Sequence, residues 1–81
     1  MTGKHQVAQT IHEILTGPLD IAPECIRPET RLPDLGLDSL AYVELAVLIS
    51  SAFGVEIDDE ELRDVSVEQL TELVEQRRAT A

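Results

Sequence analysis

The chain has no tryptophan, one tyrosine and one phenylalanine, so aromatic rings cannot fill its interior. Apolar residues nevertheless make up 43% of its 81 positions, enough for a packed core and too many for a disordered tail. That core must be aliphatic, built from Leu, Ile, Val and Ala. A single cysteine, Cys25, excludes an intramolecular disulfide and a cysteine-based zinc site, which makes a reducing compartment compatible with the chain. Nowhere do 18 apolar residues follow one another, and residues 1–7 lack the apolar stretch of a signal peptide, so a soluble, cytoplasmic protein is expected. Bases are scarce too: 6 Lys and Arg face 16 Asp and Glu, a net charge of −10. Such a surface repels nucleic acid phosphate and anionic lipid, and neither is expected as a partner. The length leaves room for one small domain and argues against a two-domain enzyme with a substrate cleft.

The acids are unevenly placed. Residues 38–75 hold eleven of them against one base, Arg63, so a basic partner is implied, beside the plain alternative of a solvated acidic surface. Over residues 4–15, Val7, Ala8, Ile11, Ile14 and Leu15 recur at spacings of three and four, the signature of one buried helical face that Gly17 and Pro18 terminate. All four prolines fall in residues 16–37, where no continuous helix survives. A loop of this length is usually functional or held by its own side chains, and Leu19, Ile21, Ile26, Leu32 and Leu35 are the candidates to hold it. Asp38 is a good N-cap for a helix from Ser39 to Phe53 that Gly54 stops. Asp58 with Glu61 resembles a capping box for a single turn, Asp59 to Leu62. Ser66 with Gln69 is an S-x-x-Q box opening a last helix whose Val67, Leu70, Leu73 and Val74 face inward. The expected fold is all-α, a small bundle of three main helices and one short one.

On a wheel of roughly 100° per residue the helix from Ser39 is apolar almost all round. Leu45, Leu48, Ile49, Ala52, Tyr42, Phe53 and Ala46 form one arc, Glu44 and Ser51 a narrow polar stripe, and Leu40, Val43 and Val47 lie beside that stripe. Either the proline-containing loop covers this side, or it is a docking surface with apolar contacts and an acid for orientation. Ser39 has two readings as well. It can serve as a local cap, but Asp38 already suits that role, and a serine at a helix N-terminus is placed where a phosphate is welcome. The position is better suited to being modified than to attacking a substrate.

The residues Asp34-Leu35-Gly36-Leu37-Asp38-Ser39-Leu40, followed by Val43-Glu44-Leu45, resemble the attachment motif of acyl carrier proteins. The likeness extends over about residues 4–78 of a single domain spanning 1–81, and it implies a right-handed bundle. It further implies that Ser39 receives a 4′-phosphopantetheine arm from coenzyme A through a phosphopantetheinyl transferase, and that the arm's thiol carries acyl groups as thioesters. Under this resemblance the chain is a monomeric carrier without catalysis of its own. Its partner surface would comprise Asp38, Leu40, Glu44, Val47, Asp59 and Glu60, facing basic patches on acyltransferase, ketosynthase or adenylating and ligase enzymes. Many fatty acid carriers are acidic where this chain has Ser50 and Ser51, which favours a discrete carrier of a polyketide or mixed polyketide and peptide pathway. A fatty acid carrier and an aminoacyl or D-alanyl carrier stay open as alternatives, as does a non-carrier acidic interaction module.

Other signals fail. Gly36 to Leu40 lacks the spacing of a G-x-S-x-G nucleophile elbow. His5 and His12, seven residues apart on the first helix, read as surface side chains and not as bases for Ser39. Residues 58–61 lack the calcium-loop pattern, so no metal site is expected, and Cys25 has no base or metal partner near it in sequence.

Overall fold

The computed structural model describes residues 3–80; residues 1, 2 and 81, the ends of the expected domain, lie outside the described residues. Four helices follow in order: α1 (Gly3–Thr16), α2 (Ser39–Phe53), the single-turn α3 (Asp59–Leu62) and α4 (Val67–Thr80). Among the described residues there is no strand, only an isolated antiparallel bridge between Arg31 and Ser66.

Helix α1 buries Val7, Ile11, Ile14 and Leu15, the stripe that their spacing predicts. Ala8, expected on the same face, is exposed. It sits at the margin of the stripe and lines a shallow groove with Ile26, Pro28 and Val67, because its methyl is too short to reach the core from there. Beyond α1 the chain is irregular but not shapeless. Pro23 and Pro33 lie in the first two positions of short 3-10 turns, Pro23–Cys25 and Leu32–Leu35, where a missing N–H breaks no helical bond. Leu32 is fully buried, and Leu19, Ile21, Ile26 and Leu35 pack against the core, so the loop is held by the side chains that the sequence singles out.

Helix α2 begins and ends where its local signals place it. The Asp38 carboxylate accepts the Ala41 N–H at 2.8 Å, and Gly54, at φ 68°, takes the left-handed conformation that closes the helix with its N–H on the Ser50 carbonyl. Tyr42, Leu45, Ala46 and Ile49 are buried. Their arc is only about 100° wide on a 3.6-residue wheel, so Ala52, expected inside it, lies beyond its edge and is exposed. Helix α4 opens on the reciprocal box of Ser66 and Gln69, with both bonds formed at 2.9 and 3.1 Å. From these elements Val7, Ile11, Leu15, Leu32, Leu45, Ile49, Leu62, Leu70 and Val74 meet in one aliphatic interior.

Helix α3 is too short to hold itself, since one turn fixes several residues for very few bonds. Glu61 accepts the Asp58 N–H at 3.1 Å and pairs with Arg77 of α4, whose guanidinium also donates to the Glu56 carbonyl at 2.6 Å. The Arg77 bond, then the Asp58 N–H, hold the Glu61 carboxyl below the usual glutamate range. A lowered carboxylate pKa contributes stability that is complete above the ordinary glutamate value and is lost as pH falls through the lowered one. Arg77→Gln should therefore return the Glu61 pKa toward its ordinary value in an NMR titration; an unmoved Glu61 would show that Arg77 is not the cause.

Ion pairs of Arg31 with Asp64, Arg63 with Asp59, Arg77 with Glu61 and Arg78 with Glu75 join bases to acids, yet residues 38–75 still carry eleven acids against one base of their own. Moderate salt or millimolar divalent cations should therefore raise the melting temperature by screening or bridging carboxylates. Equal melting in low and high salt would dismiss self-repulsion as an important term.

Candidate functional site

The turn that delivers Ser39 is built in rigid steps. Leu32 anchors it in the core, and residues 32–35 make a 3-10 turn. Gly36 ends that turn at φ 76° with its N–H on the Pro33 carbonyl at 3.3 Å. Nothing lies within 4 Å of where a Cβ would be, so the left-handed backbone, not space, is what favours glycine there. Leu37 packs against the core and Asp38 is extended, its carboxylate given to the cap.

With Asp38 as the cap, Ser39 is left over. It is the first residue of α2 and is exposed, and among the described residues its hydroxyl makes no hydrogen bond, nor do its own N–H and that of Leu40. An unengaged hydroxyl beside two free helix N-terminal donors fits a phosphodiester, which gains about 0.3–1 kcal/mol from the helix dipole, less what the Asp38 charge takes away. The residues present thus fit a 4′-phosphopantetheine group on Ser39. His5 and His12 line the separate groove between α1 and α4, away from this turn. On the other side of the turn, a groove of about 400 Å³ is lined by Leu19, Ile21, Cys25, Leu35 and Asp38, with the Cys25 thiol exposed.

On α2 the apolar strip stands open: Leu40 is 79% exposed, Val43 46% and Val47 61%. The loop does not cover it, which overturns the plainer of the two sequence readings. Glu44 is exposed on the same strip, with no ion pair among the described residues. Val43, left out of the expected partner surface, is exposed on the same strip; its place within about 60° of Leu40 and Val47 on the wheel is the signal that groups it with them. Val43 and Val47 also line a groove shared with Ile57 and Asp59, which brings α2 and α3 together. Asp59 is partly committed, however, because it accepts from Arg63 at 3.0 Å. The Arg63 guanidinium lies 5.4 Å from the Tyr42 ring centroid, a cation–π contact. Burial pushes the Tyr42 phenol up, Arg63 offsets part of that, and Asp34 adds to it. Glu60 is exposed but does not line this groove.

Among the described residues no three His, Cys, Asp or Glu side chains gather as a metal site, and no helix is long and apolar enough to cross a membrane.

Comparisons with known proteins agree on a family. Residues 9–74 match the family described as phosphopantetheine attachment site. The chain is 39% identical over 64 residues to an acyl carrier protein of Thermobifida fusca, covering 78% of this chain and 76% of that one. It is 37% identical over 57 residues to an acyl carrier protein of Wolinella succinogenes, covering 69% and 75%. A third, from Campylobacter hominis, is 29% identical over 72 residues, covering 86% and 91%.

Proposed function

This chain belongs to the acyl carrier family, whose members bear a phosphopantetheine attachment site, and on that premise we propose that Ser39 is the residue carrying the 4′-phosphopantetheine arm. The observation that supports this most is the exposed, unbonded Ser39 hydroxyl at the start of α2, released from capping by Asp38. When attached, the group supplies a thiol that holds acyl cargo as a thioester. The protein itself is a carrier without catalytic activity. Attachment would join Ser39 Oγ to the phosphorus of the arm as the pyrophosphate bond of coenzyme A breaks, adenosine 3′,5′-bisphosphate leaving and the hydroxyl proton passing to a base of the transferase.

The chain's own work is presentation. Tethering raises the effective concentration of cargo at each enzyme it visits, and the strip of Leu40, Val43, Glu44 and Val47 is the surface on which a phosphopantetheinyl transferase and acyl-processing enzymes dock. Apolar residues supply contact there, and Glu44 orients basic patches. Asp38, Asp59 and Glu60 extend the negative field around the strip; Asp59, already paired with Arg63, contributes least. We read the chain as one domain over residues 1–81, with its core at about 4–78, working as a monomer in the cytoplasm.

Ser50 and Ser51, neutral on the α2 side of the α2–α3 groove, favour a polyketide or mixed polyketide and peptide pathway over primary fatty acid synthesis. Offering the arm-bearing protein to a polyketide acyltransferase, a fatty acid synthase acyltransferase and a D-alanine ligase separates the cargoes. Loading by the first is the expected outcome; preferential loading by either of the others overturns the pathway while leaving the carrier reading intact.

A further inference from the structure

The long loop is tied to the start of α4 by its backbone. Thr30 accepts the Val67 N–H at 2.8 Å, Val65 accepts the Leu32 N–H at 2.9 Å, and Pro28 accepts the Glu68 N–H at 2.9 Å. The first two bonds flank the antiparallel bridge of Arg31 with Ser66. Arg31 adds its guanidinium to the Asp64 carboxylate and, at 3.4 Å, to the Asp64 carbonyl. The strap ends at buried Leu32, and from there to Ser39 hardly any residue is loose. Four form a 3-10 turn, Gly36 is fixed in the left-handed region, Leu37 packs on the core and Asp38 caps α2. The attachment turn is therefore a stiff link, rooted at one end in α2 and at the other in the strap to α4.

We infer that the backbone strap between residues 28–32 and 65–68 is a positioning device for Ser39. It sets where the hydroxyl lies when a transferase is docked and takes no part in the docking itself. The inference rests on Ser39 being the attachment residue. Its physical content is a separation of roles. The docking strip lies on α2 and keeps its shape whether or not the strap is closed, whereas the approach of the Ser39 oxygen to phosphorus depends on the link that the strap roots. A displacement of about 1 Å at a reacting atom can cost as much as 100-fold in rate. The strap is a few backbone bonds between exposed or half-buried residues and the buried Leu32, and so short a pairing can open locally without global unfolding.

Val67→Pro tests this with little collateral change. Val67 is the first residue of α4, the helical position where proline is best tolerated, and the preceding Ser66 is paired in the bridge, the extended backbone that proline requires before it. The substitution removes the N–H that Thr30 accepts and leaves the N–H groups of Ser66 and Gln69, which make the capping box. With the carrier as substrate of a phosphopantetheinyl transferase, kcat should fall about tenfold with KM unchanged. Hydrogen exchange at the Leu32 amide should quicken, while helicity by circular dichroism stays at the wild-type level. Val67→Ala, which loses the side chain but keeps the N–H, should retain wild-type kcat. Arg31→Asp, which lies outside α1–α4 and leaves the Arg31 carbonyl to the 3-10 turn of residues 32–35, should lower kcat less, and Asp64→Arg in the same chain should restore it; this pair decides the matter if Val67→Pro does not fold. Unchanged kcat in folded Val67→Pro, an equal fall in Val67→Ala, a rise in KM in place of the fall in kcat, or no rescue by the charge exchange would each overturn the inference. Failure of the premise looks different: the arm would then be found away from Ser39 in the wild-type chain.

Discussion

Ser39→Ala should gain no mass when incubated with coenzyme A and a phosphopantetheinyl transferase, whereas the wild-type chain should gain one arm. The effect is all or none because a phosphodiester needs the hydroxyl oxygen and alanine has none. What makes the experiment clean is the division of labour at the start of α2. Asp38, not Ser39, bonds the Ala41 N–H, so removing the Ser39 hydroxyl costs the helix no cap. Alanine is also the best helix former, and at an exposed position without partners the change in stability should stay within about 0.5 kcal/mol. The variant should therefore melt like the wild type and keep its circular dichroism spectrum. An arm retained by the folded variant would move the attachment site elsewhere.

Val47→Asp should weaken productive docking with the transferase at every ionic strength, and Glu44→Lys should slow encounter chiefly at low salt. Val47 is 61% exposed, so an aspartate there meets water in the free protein and need not unfold it. In a complex the same carboxylate would be desolvated among apolar groups. Burial of Leu40 or Val47 by a partner contributes up to about 1.5–3 kcal/mol each, and every 1.4 kcal/mol lost corresponds to about tenfold in affinity. KM for the carrier should rise accordingly. Glu44 is exposed, so its charge acts at long range; reversing it changes association rate more than the closed complex, and salt screens the difference. Both variants are checked first by circular dichroism. If they are folded and modified at the wild-type rate, the strip on α2 is not the transferase surface, and residues 58–61 become the place to test.

The features legible in the sequence are those whose causes are local. Asp38 and Gly54 bracket α2, Ser66 and Gln69 open α4, and the spacing of Val7, Ile11, Ile14 and Leu15 fixes the inner face of α1, because caps and periodicity act within a turn or two. The freeing of the Ser39 hydroxyl by the Asp38 cap is equally local. Ala8 and Ala52 show the limit: at the edge of an apolar stripe, a methyl is buried or not according to what packs opposite, which a wheel does not contain. The same holds for Leu40, Val43 and Val47. Their angle on α2 put them beside the polar stripe, but only the path of the loop decides between cover and exposure, and the loop goes elsewhere, drawn to the core by Leu32 and to α4 by backbone bonds. The strap and the grip of Arg77 on Glu61 join residues far apart in sequence, and nothing near either partner announces them. The pairing of Arg63 with Asp59, by contrast, is an ordinary i, i+4 contact that spacing alone suggests.

Peptide-level mass mapping of the wild-type protein after incubation with coenzyme A and a phosphopantetheinyl transferase tests the central claim most directly. The expected result is one arm per chain, all of it on the fragment containing Ser39, with the fragments containing Ser50, Ser51 and Ser66 unmodified. An arm on any of those other serines, or a folded chain that accepts no arm at all, would contradict the account.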